Sequence, residues 1–255
     1  MRVSWLGWVI SALVVTVAFG QSAATESTTI YLANGETAQD LQGIITTLSS
    51  VGDIRQASAS AGTGLVVSGT ADQIAFAKWL ISELDKPTTG PVPVNSAEHE
   101  YHLPGSGDEI VRVFYLAHSE TQQNLQEVMT LIRAIENIGR LFPYPAQRAL
   151  TVRGTAAQIS LAAWLVNELD KPAGAQTSAP QGPREYRMPG GGDEVVRLFY
   201  VPSARTPQEL QDVLAAVRTA TNARRMFINS AQRALAVRGT AEQIATAERV
   251  INARQ

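Results

Sequence analysis

The sequence contains no cysteine and only three histidines among its 255 residues. Without cysteine, the chain can form no disulfide bond, no thiolate metal site and no thioether-linked lipid anchor. Exported proteins do not require disulfides, so this absence leaves export open. The net charge of −2 gives the whole chain no general attraction to nucleic acid or anionic lipid. Composition alone therefore excludes thiol chemistry and gives no sign of a nucleic-acid-binding protein.

The dipeptide Gly-Thr returns at a fixed spacing of 85 residues, each time between an apolar run typical of a strand and a run typical of a helix. It stands at Gly69-Thr70, Gly154-Thr155 and Gly239-Thr240. The phrase Glu-Leu-Asp-Lys-Pro likewise occurs at 83–87 and 168–172. A fixed period indicates one supersecondary unit that has been copied, so we expect an array of small modules. Such arrays present extended surfaces, which makes assembly or binding the first hypothesis and catalysis the second.

Each copy predicts the element order β-α-β-β-α. Thr206-Pro207-Gln208-Glu209 is a strong start signal for the first helix, and Thr70, Thr155 and Thr240 each open a Thr-x-x-Gln capping box for the second. We expect an α+β fold with three such modules, each with two helices packed on a small three-stranded sheet. A glycine-containing prefix at 100–108 and 185–193 predicts an extra N-terminal hairpin strand in modules two and three.

The N-terminus predicts a secretory signal peptide. Arg2 is followed by an apolar stretch from Trp5 to Phe19 and then by small residues, with cleavage after Gly20 or Ala24, or retention as an anchor, left open. After cleavage we expect no stable membrane span. The predicted organisation is a signal peptide at 1–24, module one at 25–87, module two at 98–172 and module three at 184–255, with linkers at 88–97 and 173–183.

Module two carries a recognisable residue pattern. Its members are Tyr115-Leu116, Leu125, Leu150, Val152, Gly154-Thr155, Ile159 and Leu169-Asp170. With the element order, this pattern resembles the short periplasmic N-terminal domains of secretins, the outer-membrane rings of type II and type III secretion and type IV pilus systems. The resemblance covers nearly all of residues 28–255 and implies a ring-building fold, lateral self-association, a periplasmic location and no catalysis. Secretins continue into a β-rich pore segment, whereas this sequence ends at Gln255, so we expect an accessory or stand-alone array.

The histidine and acidic residues of the sequence predict no catalytic or metal-binding site. His99 and His102 would point to opposite faces of a strand, which favours surface histidines over metal ligands. The acid pair Asp108-Glu109 and its copy Asp193-Glu194 are predicted to lie in solvated turns, since adjacent strand residues cannot form an acid–base couple. We expect no enzyme activity, no catalytic, cofactor or metal site, and no nucleic-acid partner.

Two tryptophans are candidates for an interface. Trp79 and Trp164 occupy the same position of the second helix, and Arg249 stands there in module three. A position that accepts arginine is not deep core, so we expect both tryptophans to be half exposed. They serve either a contact with a partner or the completion of a small core at the sheet edge.

Charge is unevenly distributed along the chain. The net charge is −4 over 25–87, −3 over 88–183 and +4 over 184–255, where every cation is arginine. This gradient suits docking of the acidic first module of one copy on the basic third module of another, with Arg224 and Arg225 as candidate contacts. The alternatives are a third module that docks on an anionic surface, such as lipid headgroups or another protein, and a face that is merely solvated.

The sequence thus predicts a periplasmic, non-catalytic scaffold of a secretion or pilus-type system, with or without association with the outer membrane. Its expected partners are copies of itself, secretins or other envelope-complex proteins. The alternative is an envelope ligand-binding module that holds anionic lipid or peptidoglycan through the arginine-rich third module.

Overall fold

The computed structural model describes residues 25–35, 37–60, 62–87, 97–172, 184–189 and 192–254. The predicted signal peptide and nearly all of both predicted linkers lie outside these ranges. Within them, no helix combines the length and the apolar character that a membrane crossing requires.

Module one folds as β-α-β-β-α around a three-stranded antiparallel sheet in the order β1-β3-β2. Its elements are β1 (Glu26–Tyr31), α1 (Ala38–Gly52), β2 (Gln56–Ala59), β3 (Gly64–Gly69) and α2 (Ala71–Leu84).

Modules two and three repeat this order and add one strand at the sheet edge. Module two consists of β4 (Glu100–His102), β5 (Glu109–Tyr115), α3 (Gln122–Glu136), β6 (Leu141–Tyr144), β7 (Ala149–Thr155) and α4 (Ala156–Leu169). Module three consists of β8 (Arg184–Arg187), β9 (Glu194–Tyr200), α5 (Pro207–Thr221), β10 (Arg225–Asn229), β11 (Ala234–Thr240) and α6 (Ala241–Asn252). The sheets run β4-β5-β7-β6 and β10-β11-β9-β8, entirely antiparallel. The predicted α+β class, module order and extra strand are confirmed.

The repeated Gly-Thr marks the same turn from strand to helix in all three modules. At the start of α4, Thr155 Oγ1 accepts the amide hydrogen of Gln158, and Gln158 Oε1 accepts that of Thr155 at 3.0 Å. A Cβ at Gly154 would lie 2.8 Å from that Oε1 atom, so glycine makes room for the capping glutamine. The same reciprocal cap opens α2 at Thr70 and α6 at Thr240, which confirms the predicted capping boxes.

The modules stack into a column in which sheets and helix pairs alternate. Val111, Val113 and Tyr115 of β5 belong to the same buried cluster as the core of module one. Val196 and Leu198 of β9 likewise belong to the cluster that contains the core of module two. The second and third sheets are therefore covered on one face by their own helices and on the other by the helices of the preceding module. This explains why β7 is buried on both faces.

The first sheet has no preceding module among the described residues. Its outward side chains in β1, Ser27, Thr29 and Tyr31, are exposed, and Tyr31 is 71% exposed. The column therefore has one sheet end at module one and one helix end at module three.

Replacing Gly154 tests the close contact under the capping glutamine. We expect Gly154→Ala to lower the free energy of unfolding, because the new methyl group displaces Gln158 from the cap, whose loss costs about 1 kcal/mol. In a Gln158→Ala background the same glycine substitution should cost less, because only the 3.1 Å contact with the Cβ of residue 158 then remains, as urea titrations of the four proteins would measure. Gly139→Ala, where no atom lies within 4 Å of the new methyl group, is the control. Equal costs in both backgrounds would contradict this account of the Gly-Thr motif.

Candidate functional site

Both tryptophans lie at junctions between successive modules. The Trp79 ring on α2 lies 5.2 Å from the ring of Tyr101 on β4, the added strand of module two. Trp164 on α4 lies 5.6 Å from Tyr186 on β8, the added strand of module three. The tryptophan position therefore receives the tyrosine of the following module's added strand. Module three has no following module here, and its counterpart Arg249 is exposed.

A buried cluster of polar side chains joins modules one and two at Glu83, near the end of α2. Tyr115 Oη donates a hydrogen bond to Glu83 Oε2 at 2.7 Å, and Lys86 Nζ donates to the same atom at 2.7 Å. His99 Nδ1 lies 2.9 Å from that oxygen. Burial alone would raise the pKa of Glu83, but the hydrogen bonds from Lys86 and Tyr115, with the charge of Lys86 and that of His99 when protonated, outweigh it and hold the pKa below its ordinary value.

His99 is buried, so the prediction of a surface histidine was wrong at this position. A 3-10 turn over Ala97–His99, just before β4, turns the imidazole into the junction, where it packs edge-on against the ring of Tyr115. His102 is exposed, as expected. Among the described residues, no three histidine, aspartate or glutamate side chains are grouped so that they could hold a metal ion.

The second junction repeats the first with one substitution. Glu168 pairs with Lys171 at 3.0 Å and with Arg184, which occupies the place of His99. Tyr200, the counterpart of Tyr115, brings its hydroxyl to 3.5 Å from Glu168 Oε2. The glutamate and lysine of Glu-Leu-Asp-Lys-Pro are thus junction residues at both places where the phrase occurs.

The remaining polar residue of that phrase, aspartate, closes a loop within its own module. Asp85 Oδ1 accepts the amide hydrogens of Asn34 and Gly35 at 2.8 Å, just after β1. Asp170 Oδ1 accepts that of His118 at 2.9 Å, just after β5.

At the end of modules one and two, a backbone carbonyl accepts a hydrogen bond from a glutamine in the hairpin turn of the following module. Gln147 Nε2 donates to the carbonyl of Lys86, and Gln232 Nε2 donates to the carbonyl of Lys171 at 2.7 Å. The turn of module one, around Gly62, contains no such glutamine. The difference matches the absence of a preceding module among the described residues.

An arginine on the central strand reaches across each junction. Arg153 Nη1 on β7 donates to the carbonyl of Val51 at 3.0 Å and to Asp53 Oδ2 at 2.9 Å, at the end of α1. Its Nε donates to Glu109 Oε2 at 2.9 Å. Glu109, predicted to lie in a solvated turn, therefore holds the arginine that joins two modules.

The second junction has the same bridge. Arg238 on β11 donates to the carbonyl of Ile135 at 3.2 Å and to Glu194 at 2.9 Å. Module one has Ser68 at this strand position, which is too short to reach out of its own sheet.

Glu136 is a buried carboxylate beside this second bridge. Burial raises its pKa above the ordinary value, although Arg238 and Arg225 oppose the rise through their positive charges. The nearest arginine nitrogen, Arg238 Nη1, is 3.9 Å away, too far for a hydrogen bond, so burial prevails.

The two candidate arginines have different surroundings. Arg224 is exposed, and no carboxylate of the described chain lies within ion-pair distance of it. Arg225 begins β10, is half-buried and contributes to the field at Glu136 of module two. The structure thus leaves Arg224 available at the surface and directs the charge of Arg225 towards the second junction.

Solved structures of secretins are similar to this chain at low identity. They include Aeromonas hydrophila ExeD (12% identity, 89% of this chain and 40% of that one, TM-score 0.22) and the type II secretion system secretin GspD of E. coli K12 (13%, 90%, 38%, 0.21). XcpQN012 matches at 14% identity over 90% of this chain and 98% of its own, with a TM-score of 0.25. This chain spans about two fifths of the length of the first two. No protein-family model matches the chain, and no curated protein matches it either.

Removing one hydroxyl tests the Glu83 cluster. We expect Tyr115→Phe to lower the free energy of unfolding by about 1–3 kcal/mol at pH 7, because Glu83 stays buried with one donor fewer. A carboxylate with a lowered pKa stabilises the fold above its unfolded-state pKa and loses that contribution as pH falls. The difference between the two proteins should therefore shrink towards pH 4 in denaturant titrations. Tyr31→Phe, at the exposed copy of this tyrosine, should change nothing, and an equal effect of both substitutions would contradict the role of the junction.

Glu136 should show the opposite dependence on pH. Its raised pKa means that ionisation at neutral pH costs stability, and that this cost is absent below its unfolded-state pKa of about 4.3. We expect Glu136→Gln to raise the melting temperature by a few degrees at pH 7, with the gain vanishing near pH 4. Glu194→Gln, which removes the 2.9 Å partner of Arg238, should not raise it. A lower melting temperature of Glu136→Gln at pH 7 would show that attraction to Arg238 outweighs burial.

Proposed function

We propose that this protein is a non-catalytic periplasmic scaffold of an envelope secretion or pilus-type system, and that it acts by associating with copies of itself or with secretin-type envelope proteins. The residue pattern of module two, which resembles the ring-building N-terminal domains of secretins, supports the class. The column of three such modules supports a role in which surfaces, rather than a reactive centre, do the work.

The observation that carries the proposal is the difference in net charge between the two terminal modules, −4 over 25–87 and +4 over 184–255. Module three exposes arginines with no carboxylate of the described chain within ion-pair distance: Arg205, Arg218, Arg224, Arg233, Arg249 and Arg254. Module one exposes Glu26 and Asp72 without an ion-pair partner in the described part, alongside the equally exposed Arg55 and Lys78, so its acidic balance comes from the module as a whole. Complementary fields of this kind steer association and set its register.

A contact between module one of one copy and module three of the next joins two different surfaces. Such a heterologous contact closes into a ring when the rotation between copies permits and extends into a filament when it does not. Both tryptophans already pack inside junctions, so the contact proposed here uses the charged sides of the modules.

The same arginines favour a second candidate, an anionic envelope ligand such as lipid headgroups or peptidoglycan. An arginine-rich module binds such a surface through the attractive field of several charges. The two candidates can be distinguished by experiment, because self-association requires only copies of this protein, whereas ligand binding requires an added anionic ligand.

Charge reversal at Arg224 tests the self-association. We expect the protein to sediment as an oligomer at low salt and to shift towards monomer near 1 M salt, where screening shortens to about 3 Å. Arg224→Glu should give the high-salt behaviour at low salt. Arg55→Glu, the same charge change on an exposed residue of the acidic module, is the control and should not weaken association. Arg225 is left unchanged because its charge acts on Glu136.

A monomer at every concentration and salt would overturn the self-association, and binding of that monomer to vesicles containing anionic lipid would instead support the second candidate. Trp79→Ala is expected to destabilise the fold at the first junction. An oligomer indifferent to salt and lost in folded Trp79→Ala would place the contact on the tryptophan-bearing helices.

A further inference from the structure

The sheet end of the column lacks the residues that join modules elsewhere. Module two presents Val111, Val113 and Arg153 to the helices of module one, and all three are buried. At the same positions of the strand register, module one has Ser27, Thr29 and Ser68. Two apolar contacts and the bridging arginine are thus replaced by small hydroxyl side chains on an open face.

The helix end of module three also lacks the residues that contact the next module at the internal junctions. Module two presents Ile135, Leu161 and Glu168 towards module three, and the first two are fully buried. The same helix positions of module three carry Ala220, Thr246 and Ala253. Arg249 replaces the tryptophan that receives the next module's tyrosine. Ala220, Arg249 and Ala253 are exposed.

An end-to-end contact between two copies would therefore lack the arginine bridge, the buried glutamate and the tryptophan of the internal junctions. Tyr31 retains the junction tyrosine, but the residue that would stand in for Glu83 or Glu168 on a second copy is Ala253, which offers its hydroxyl no carboxylate. Ser27 and Thr29 would be buried against helices in place of valines, at the cost of removing their hydroxyls from water. No arginine would reach the helix carbonyl at Ala220, because Ser68 is too short.

We propose that the two ends of this column are terminating caps, which prevent copies of the chain from stacking end to end and leave the sides of the modules as the surfaces for self-association. Capping repeats with a polar outer face limit the length of stacked-repeat proteins in general. Here both ends lack the junction residues, so neither face is suited to receive a second copy of the chain. The capping of the ends does not depend on the proposed function, whereas the assignment of the sides to self-association rests on it.

Restoring the junction residues tests the caps. The sheet-end variant carries Ser27→Val, Thr29→Val and Ser68→Arg; the helix-end variant carries Ala220→Ile, Thr246→Leu, Arg249→Trp and Ala253→Glu. Mixed near 1 M salt, which screens charge-driven side contacts, the two variants should form a one-to-one complex in sedimentation velocity. Its affinity should be at least about tenfold tighter than that of either variant with itself or with the unmodified protein.

Absence of this complex, with both variants folded by circular dichroism and thermal melting, would overturn the proposal. The unmodified ends can be tested without these multiple substitutions, because the chain contains no cysteine. Thr29→Cys and Ala220→Cys proteins, each with one exposed thiol, should form no more mixed disulfide under mild oxidation than Thr29→Cys forms with Arg55→Cys on a side surface. A strong excess of the 29–220 disulfide would show that the ends meet, and would equally overturn the proposal.

Discussion

The structure depends on one geometric constraint: a three- or four-stranded sheet has two faces, and the two helices of its own module cover only one of them. A module of this size buries a small core, so an uncovered apolar face would expose much of what stabilises it. Modules two and three meet this constraint with the helices of the preceding module. Module one meets it differently, by placing serine and threonine on its open face. The column, the junction clusters and the polar ends all follow from how each face is covered.

The repeated phrases of the sequence acquire separate physical roles in this arrangement. In Glu-Leu-Asp-Lys-Pro, the glutamate accepts hydrogen bonds across the junction, the aspartate closes a loop of its own module, and the lysine pairs with the glutamate. The leucine belongs to the buried core. In module three, Ala253 stands at the position of the glutamate.

The fold within each module could be predicted from the sequence because its signals are local. Capping boxes, apolar spacing and glycine turns act over a few residues, and the structure confirms the elements they indicate. The junctions could not be predicted in the same way, because they join residues such as Val51 and Arg153, which are about a hundred positions apart. His99 illustrates the failure, since local spacing predicted a surface residue and the neighbouring module buries it. A usable signal was present in the positions where the three copies disagree: Trp164 against Arg249, and Glu168 against Ala253.

The bridge made by Arg153 also bears on the order in which the modules unfold. This arginine joins the end of a helix in one module to the sheet of the next, so we expect the first two modules to share part of their stability and not to melt as independent units. Stacked arrays of this kind behave as short one-dimensional chains, in which each member is stabilised by its nearest neighbours. Among the three described modules, module two has a neighbour on both sides, whereas modules one and three have one each. Unfolding should therefore begin at the ends of the column, and the amide hydrogens of β7, at its centre, should be the last to exchange with solvent.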